Sequence, residues 1–136
     1  MLVRGFKVQM FRRILSLKLP QPCAAFDGCR CRIYSQRPKH CRQFECILLK
    51  KLNQKKIRRA TATRIIGKVR EVVEETERLL TRLGDKEDKT PLRARFQRLS
   101  KKLHMATLHP REAAVYAELT LAMHQLDVLL SEHFYR

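Results

Sequence analysis

The chain has 136 residues and a formal net charge of +17, from 30 Lys+Arg against 13 Asp+Glu. That length holds one small domain, and so basic a balance argues against an ordinary cytosolic enzyme and for an acidic partner or an import signal. No apolar run approaches the ~20 residues of a membrane span, and the five cysteines all fall in the first third, a poor pattern for a disulfide scaffold.

The charge is uneven along the chain. Residues 1–34 hold seven basic residues and one acid, Asp27. Residues 35–60 hold nine basic residues and Glu45, whereas 61–136 hold fourteen basic residues and eleven acids. The opening stretch, MLVRGFKVQMFRRILSLKLP, sets Leu2, Phe6, Met10, Phe11, Ile14, Leu15 and Leu17 among Arg4, Lys7, Arg12, Arg13 and Lys18. On a helix, much of the apolar set falls on one side and several basic residues on the other. Amphipathic, basic and poor in acid describes a mitochondrial transit peptide. Arg12, Arg13 and Lys18 interrupt the apolar centre that a secretory signal needs. Arg32-Ile33-Tyr34-Ser35 resembles the mitochondrial processing pattern of arginine, any residue, an aromatic, then a small residue. The sequence therefore predicts a presequence over 1–34, cleavage at or beside the Tyr34–Ser35 bond, and a mitochondrial location, in the matrix. Membrane contact is expected only through the presequence during import. The competing reading is a surface helix on anionic lipid.

Residues 35–60 read as a basic connector and helical extension, polar and irregular to about Phe44. A helix can begin near Glu45 and run toward Gly84, a plausible C-terminal stop. Its clearest stripe is Ala62, Ile65, Val69, Val72, Thr76, Leu79 and Leu83, stepping 3, 4, 3, 4, 3, 4 as a heptad seam. Leu48, Leu52 and Ile57 fit that phase poorly, so the basic part can be a separate helix. GDKEDKTP follows as a connector, with Thr90 and Pro91 as a cap and first-turn pair. The second helix carries Leu92, Phe96, Leu99, Leu103 and Ala106. TLHP makes the next break, with Pro110 at a helix start. The third helix carries Val115, Leu119, Ala122, Leu126, Leu129 and His133, thickened by Met123 and Leu130. No strand pattern occurs. The expected fold is all-α: a small up-down-up three-helix bundle over 61–136 with a basic N-terminal helical extension. So small a core leaves room for a helix–helix partner.

Chemistry is sparse. The four glycines lie far apart and make no phosphate loop. Glu71, Glu74, Glu75 and Glu77 read as a solvated face, with Glu74–Arg78 an i,i+4 pair. His40, Cys41 and Cys46 could supply three metal ligands, but no fourth follows at a zinc-like spacing, and Cys46 fits a small buried hydrophobe. His104, His109, His124 and His133 read as helix-surface or helix-end residues. RRAT, Arg58–Thr61, has the form of a basophilic kinase site, a match common in basic chains. A Cys/His nucleophile pair is possible but has no supporting third group, so the expectation is a protein with no enzyme activity, metal or cofactor.

The strongest binding signal is the block Lys50, Lys51, Lys55, Lys56, Arg58 and Arg59, joined on the second helix by Arg93, Arg95, Arg98, Lys101 and Lys102. Phosphate contacts need only such charge, and they give salt-dependent, weakly sequence-specific binding. Stacking aromatics are missing from the block. The partner class implied is a large acidic assembly, structured RNA or protein, without reading of DNA sequence. The competing reading is a solvated basic face.

GDKEDKTPL at the first connector and the dipeptide Leu126-Asp127 resemble a BAG domain, the three-helix module that docks on Hsp70 ATPase domains. That resemblance implies a co-chaperone. The third helix departs from it: the family opens this helix with an arginine-rich face, whereas here Arg111 is followed by Ala113, Ala114 and Ala117. No contact residue carries over. The expected function is docking on the mitochondrial ribosome or its assembly intermediates, ahead of an assembly factor or accessory subunit of a respiratory-chain complex, and of a BAG-like co-chaperone.

Overall fold

The structure is a computed structural model and describes residues 23–87, 89–104 and 109–135. The amphipathic opening stretch lies outside the described residues. Those residues form five α-helices: α1 (Lys39–Gln43), α2 (Ile47–Asn53), α3 (Arg59–Arg82), α4 (Leu92–His104) and α5 (Pro110–His133). A single 3-10 turn, Tyr34–Gln36, precedes them. No strand forms among the described residues, as an all-α fold requires. Ahead of the helices, residues 23–32 close a tight turn with one isolated bridge, Phe26 to Cys31. The Asp27 carboxylate accepts from the backbone N–H of Arg30 at 2.6 Å and of Cys29 at 2.9 Å. Those two bonds hold its pKa below the usual carboxylate range.

Between Glu45 and Gly84 the chain forms two helices, one of them the separate basic helix that the poor phase of Leu48, Leu52 and Ile57 allows. Cys46 caps α2 rather than filling a core, its Sγ accepting from the Leu49 N–H at 3.4 Å. The end of α2 is a Schellman turn: the Lys55 N–H donates to the Leu52 carbonyl and the Lys56 N–H to the Lys51 carbonyl. Lys55 therefore sits at φ 56°, in the left-handed region. The end of α3 repeats the motif with glycine in that place. There Gly84, at φ 86°, donates to Thr81, and Asp85 donates to Leu80.

The heptad stripes are the faces that become buried. On α3, Ala62, Val72, Thr76, Leu79 and Leu80 are buried. Thr76 is tolerated there because its hydroxyl donates to the Val72 carbonyl at 2.7 Å, leaving no unpaired donor. On α5 the buried set is Leu119, Ala122, Met123, Leu126 and Leu129. One core cluster joins Leu79, Leu80, Leu99, Leu119, Ala122 and Met123. A second joins Val72, Leu126 and Leu129, with Val69, Val73, Leu92 and Leu130 packed against it. His109 begins α5 with a capping box: its side chain accepts from the Arg111 N–H while Glu112 accepts from the His109 N–H.

The helix directions depart from the up-down-up path. Arg82 near the end of α3 pairs with Glu118 in the first half of α5, and Val72 packs with Leu126 and Leu129 farther along. So α5 runs antiparallel to α3. Arg93 at the start of α4 pairs with Asp127, whereas Ser100 accepts from the Tyr116 hydroxyl at 3.0 Å. So α5 is antiparallel to α4 as well, and α3 and α4 run in the same sense. The connector between them makes this possible by folding back along α4. Asp85 accepts from Arg95 at 2.9 Å and Arg98 at 3.1 Å, and Glu87 accepts from Arg98 at 2.6 Å. Thr90 donates its hydroxyl to Glu87 instead of capping α4. At the other end of the bundle, the Ile47 N–H reaches the Phe134 carbonyl at 3.4 Å, setting the start of α2 against the end of α5.

Candidate polyanion-docking surface

Lys50 and Lys51 lie half-buried on α2, and Lys55 and Lys56 are exposed in its terminal turn. Arg58 and Arg59 are exposed at the start of α3. Six cations thus come from two short helical ends and the turn between them. None forms an ion pair among the described residues. The placement is also unfavourable for α3 itself. Arg58 is its N-cap with no side-chain cap bond, Arg59 is its first residue, and no acid stands in its first turn. A helix N-terminus carries partial positive charge, so each added cation there costs about 0.3–1 kcal/mol unless an anion relieves it.

The second basic cluster is divided by the fold. Arg95 is only 4% exposed and spends its guanidinium on Asp85. Arg98 bridges Asp85 and Glu87. Its pKa is raised, first by the hydrogen bond to Glu87 and then by the two carboxylate charges, outweighing partial desolvation. Arg93 pairs with Asp127. Lys101 and Lys102 alone remain exposed and unpaired among the described residues. Lys102 lines a shallow groove with Leu83 and Gly84, so it sits at the C-terminal end of α3. The six-cation group is at the opposite end of that 24-residue helix, about 36 Å away at the usual rise per residue. The two clusters do not make one patch.

Sequence reasoning missed the role of Arg95. It falls three residues after Leu92 and four before Leu99, in phase with the apolar stripe of α4, which was the available sign that it enters the core. It also placed Arg78 opposite Glu74, whereas Arg78 pairs with Glu75 at 2.5 Å. Tyr34 and Ser35 lie in the exposed 3-10 turn, with Arg37 stacked 3.8 Å from the Tyr34 ring centroid. His40 and Cys41 are exposed on α1. Among the described residues no three His, Cys, Asp or Glu side chains gather as a metal ion would need. No helix among them is long and apolar enough to cross a membrane. No protein-family model matches the chain, and no curated protein or solved structure matches it.

Proposed function

We propose that this chain is a non-enzymatic, mitochondrially imported helical protein that docks on a large acidic assembly through the α2–α3 end, the mitochondrial ribosome or its assembly intermediates being the partner that fits best. The observation that carries the reading is the group Lys50, Lys51, Lys55, Lys56, Arg58 and Arg59, unpaired among the described residues, with Arg58 and Arg59 set against the dipole of α3. Wrong-signed charge at a helix start lowers stability in isolation and is relieved by phosphate or carboxylate. The clustered cations suit the backbone of a structured RNA, whose binding releases counterions. Import rests on the sequence features of residues 1–34, with matrix release at the Tyr34–Ser35 bond. Lys101 and Lys102 at the far end of α3 can touch a second site on an assembly of that size, whereas Arg95 and Arg98 serve the fold. A second reading, an assembly factor or accessory subunit of a respiratory-chain complex, is favoured by the exposed apolar residues of α5, Leu121 and Val128.

The test replaces Lys55, Lys56, Arg58 and Arg59 with glutamine and measures retention on isolated mitochondrial ribosomes across a salt series. Glutamine is a comparable helix former, so the circular dichroism spectrum should hold and the melting temperature should change little, because losing Arg58 and Arg59 relieves the start of α3 while losing Lys55 and Lys56 removes cations from the end of α2. Attachment should weaken, and the slope of log affinity on log salt should fall by about 3. Nuclease treatment of the lysate should release the wild type. Equal retention of both proteins at every salt concentration would sink the electrostatic reading and favour the respiratory-complex one.

A further inference from the structure

Helix α5 carries two heptad stripes. One is the buried face. The other is Ala114, Ala117, Leu121, His124, Val128 and Ser131, stepping 3, 4, 3, 4, 3 on the opposite side of the helix, with every position exposed. No Lys, Arg, Asp or Glu occupies it, although 32% of the chain is charged. Leu121 is 70% exposed and Val128 38%. Leu130 is not part of this face, because it packs against the second core cluster. An outward helix face is ordinarily where charges collect, so an uncharged seam of this length needs a cover.

We infer that the cover is a second copy of this chain, packed α5 against α5 in antiparallel about a two-fold axis between Leu121 and His124. The face is self-complementary in that arrangement alone. Reversing the helix on itself sets Ala117 against Val128 of the second copy, Leu121 against its His124, and Ala114 against its Ser131. Beside the central pair, Ala117 meets the larger Val128 and Ala114 meets the small Ser131, which lets the backbones approach. The flanking positions also match. Arg111 falls opposite Glu132 of the second copy, twice by symmetry, and Glu118 opposite its Gln125. Arg111 has no ion pair among the described residues, and Glu132 has only its neighbour His133 at 3.8 Å. A parallel pairing instead sets Glu132 beside Asp127 of the second copy, a like-charge pair, and leaves Arg111 with no acid opposite. Exposed pairs of this kind choose orientation more than they add affinity.

Sedimentation equilibrium of the full chain, at about 0.3 M salt to suppress repulsion between so basic a pair, reads the association directly. The wild type should reach dimer below about 100 µM. Leu121→Asp, at an exposed position, should keep the helical spectrum and weaken the dimer at least about tenfold. Arg111→Glu alone and Glu132→Arg alone should each dimerise more weakly, by about threefold or more. Mixed together they should form a heterodimer with wild-type affinity, because both flanking pairs are then of opposite sign. A monomer throughout the concentration range would overturn the inference and leave the seam to a different protein. So would a dimer indifferent to Leu121→Asp, or singles that fail to rescue each other on mixing.

Discussion

Lys55 and Gly84 do the same backbone job with different success. Each is the left-handed residue of a Schellman turn, at φ 56° and 86° respectively. Glycine takes that conformation without penalty, whereas a lysine Cβ meets the adjacent carbonyl. Lys55→Gly should therefore raise stability by about 0.5–1 kcal/mol, and Gly84→Ala should lower it by about 1 kcal/mol, in paired chemical denaturation curves. Beyond its own chain neighbours, no atom lies within 4 Å of a Cβ built at Gly84, so the cost of that change is conformational and not a clash with the rest of the fold. If both changes were silent, the two turns would be frayed instead of closed. A lysine kept where glycine is better suits a residue that serves a partner, and Lys55 belongs to the proposed docking group. The terminal glycine was legible in the sequence because it ended a regular stripe. The lysine turn was not, because lysine is among the good helix formers and nothing in KKLNQKKIRR marks a stop.

The connector between α3 and α4 decides how the bundle is threaded. Asp85 is nearly enclosed, and its carboxylate carries the hydrogen bonds of Arg95, Arg98 and the Glu87 N–H. Burial pushes its pKa up, but the Arg95 hydrogen bond, the Glu87 N–H and the charges of the two arginines outweigh that and hold it below the usual carboxylate range. A depressed folded pKa means the stabilisation is complete above the unfolded value, near pH 4, and is lost as pH falls from there through the folded pKa. Asp85→Asn leaves Arg95 buried without its counter-charge and should cost about 3 kcal/mol at pH 7. The difference between wild type and variant should shrink below about pH 4 in a pH series of thermal melts; a constant difference would show that the ion pair contributes nothing. The stripes of α3, α4 and α5 were readable as spacing. The direction of α4 was not, since periodicity can set Arg95 on the buried face but cannot name Asp85 as its partner, and a connector of this length can turn tightly or fold back.

At the scale of the molecule, the described residues divide into a packed bundle and a charged end that extends from it. The packed part is chiefly α3 against α5, with α4 closing one side at the C-terminal half of α3. Arg82 lies level with Glu118 and Val72 level with Leu126 and Leu129, so the first turns of α3 run past the end of α5. That overhang has α2 beside it, with Leu48 and Ala62 buried, and presents the basic group outside the two core clusters. The arrangement predicts that α3 tolerates charge very differently along its length. Val72 is buried in the second core cluster, whereas Ile66, six residues earlier, is exposed. Val72→Asp puts an unpaired carboxylate between α3 and α5 and should cost about 4 kcal/mol or more, a fall of about 15 °C or more in melting temperature. Ile66→Asp makes the same side chain on the same helix and should stay within about 0.5 kcal/mol of wild type. Both are read by far-ultraviolet circular dichroism melts of the full chain. Equal melting temperatures for the two variants would mean that the α3–α5 interface is not the seam that holds the bundle. A collapse in Ile66→Asp alone would mean that the exposed side of the start of α3 carries the fold, and the proposed docking end would lose its independence from the α3–α5 interface.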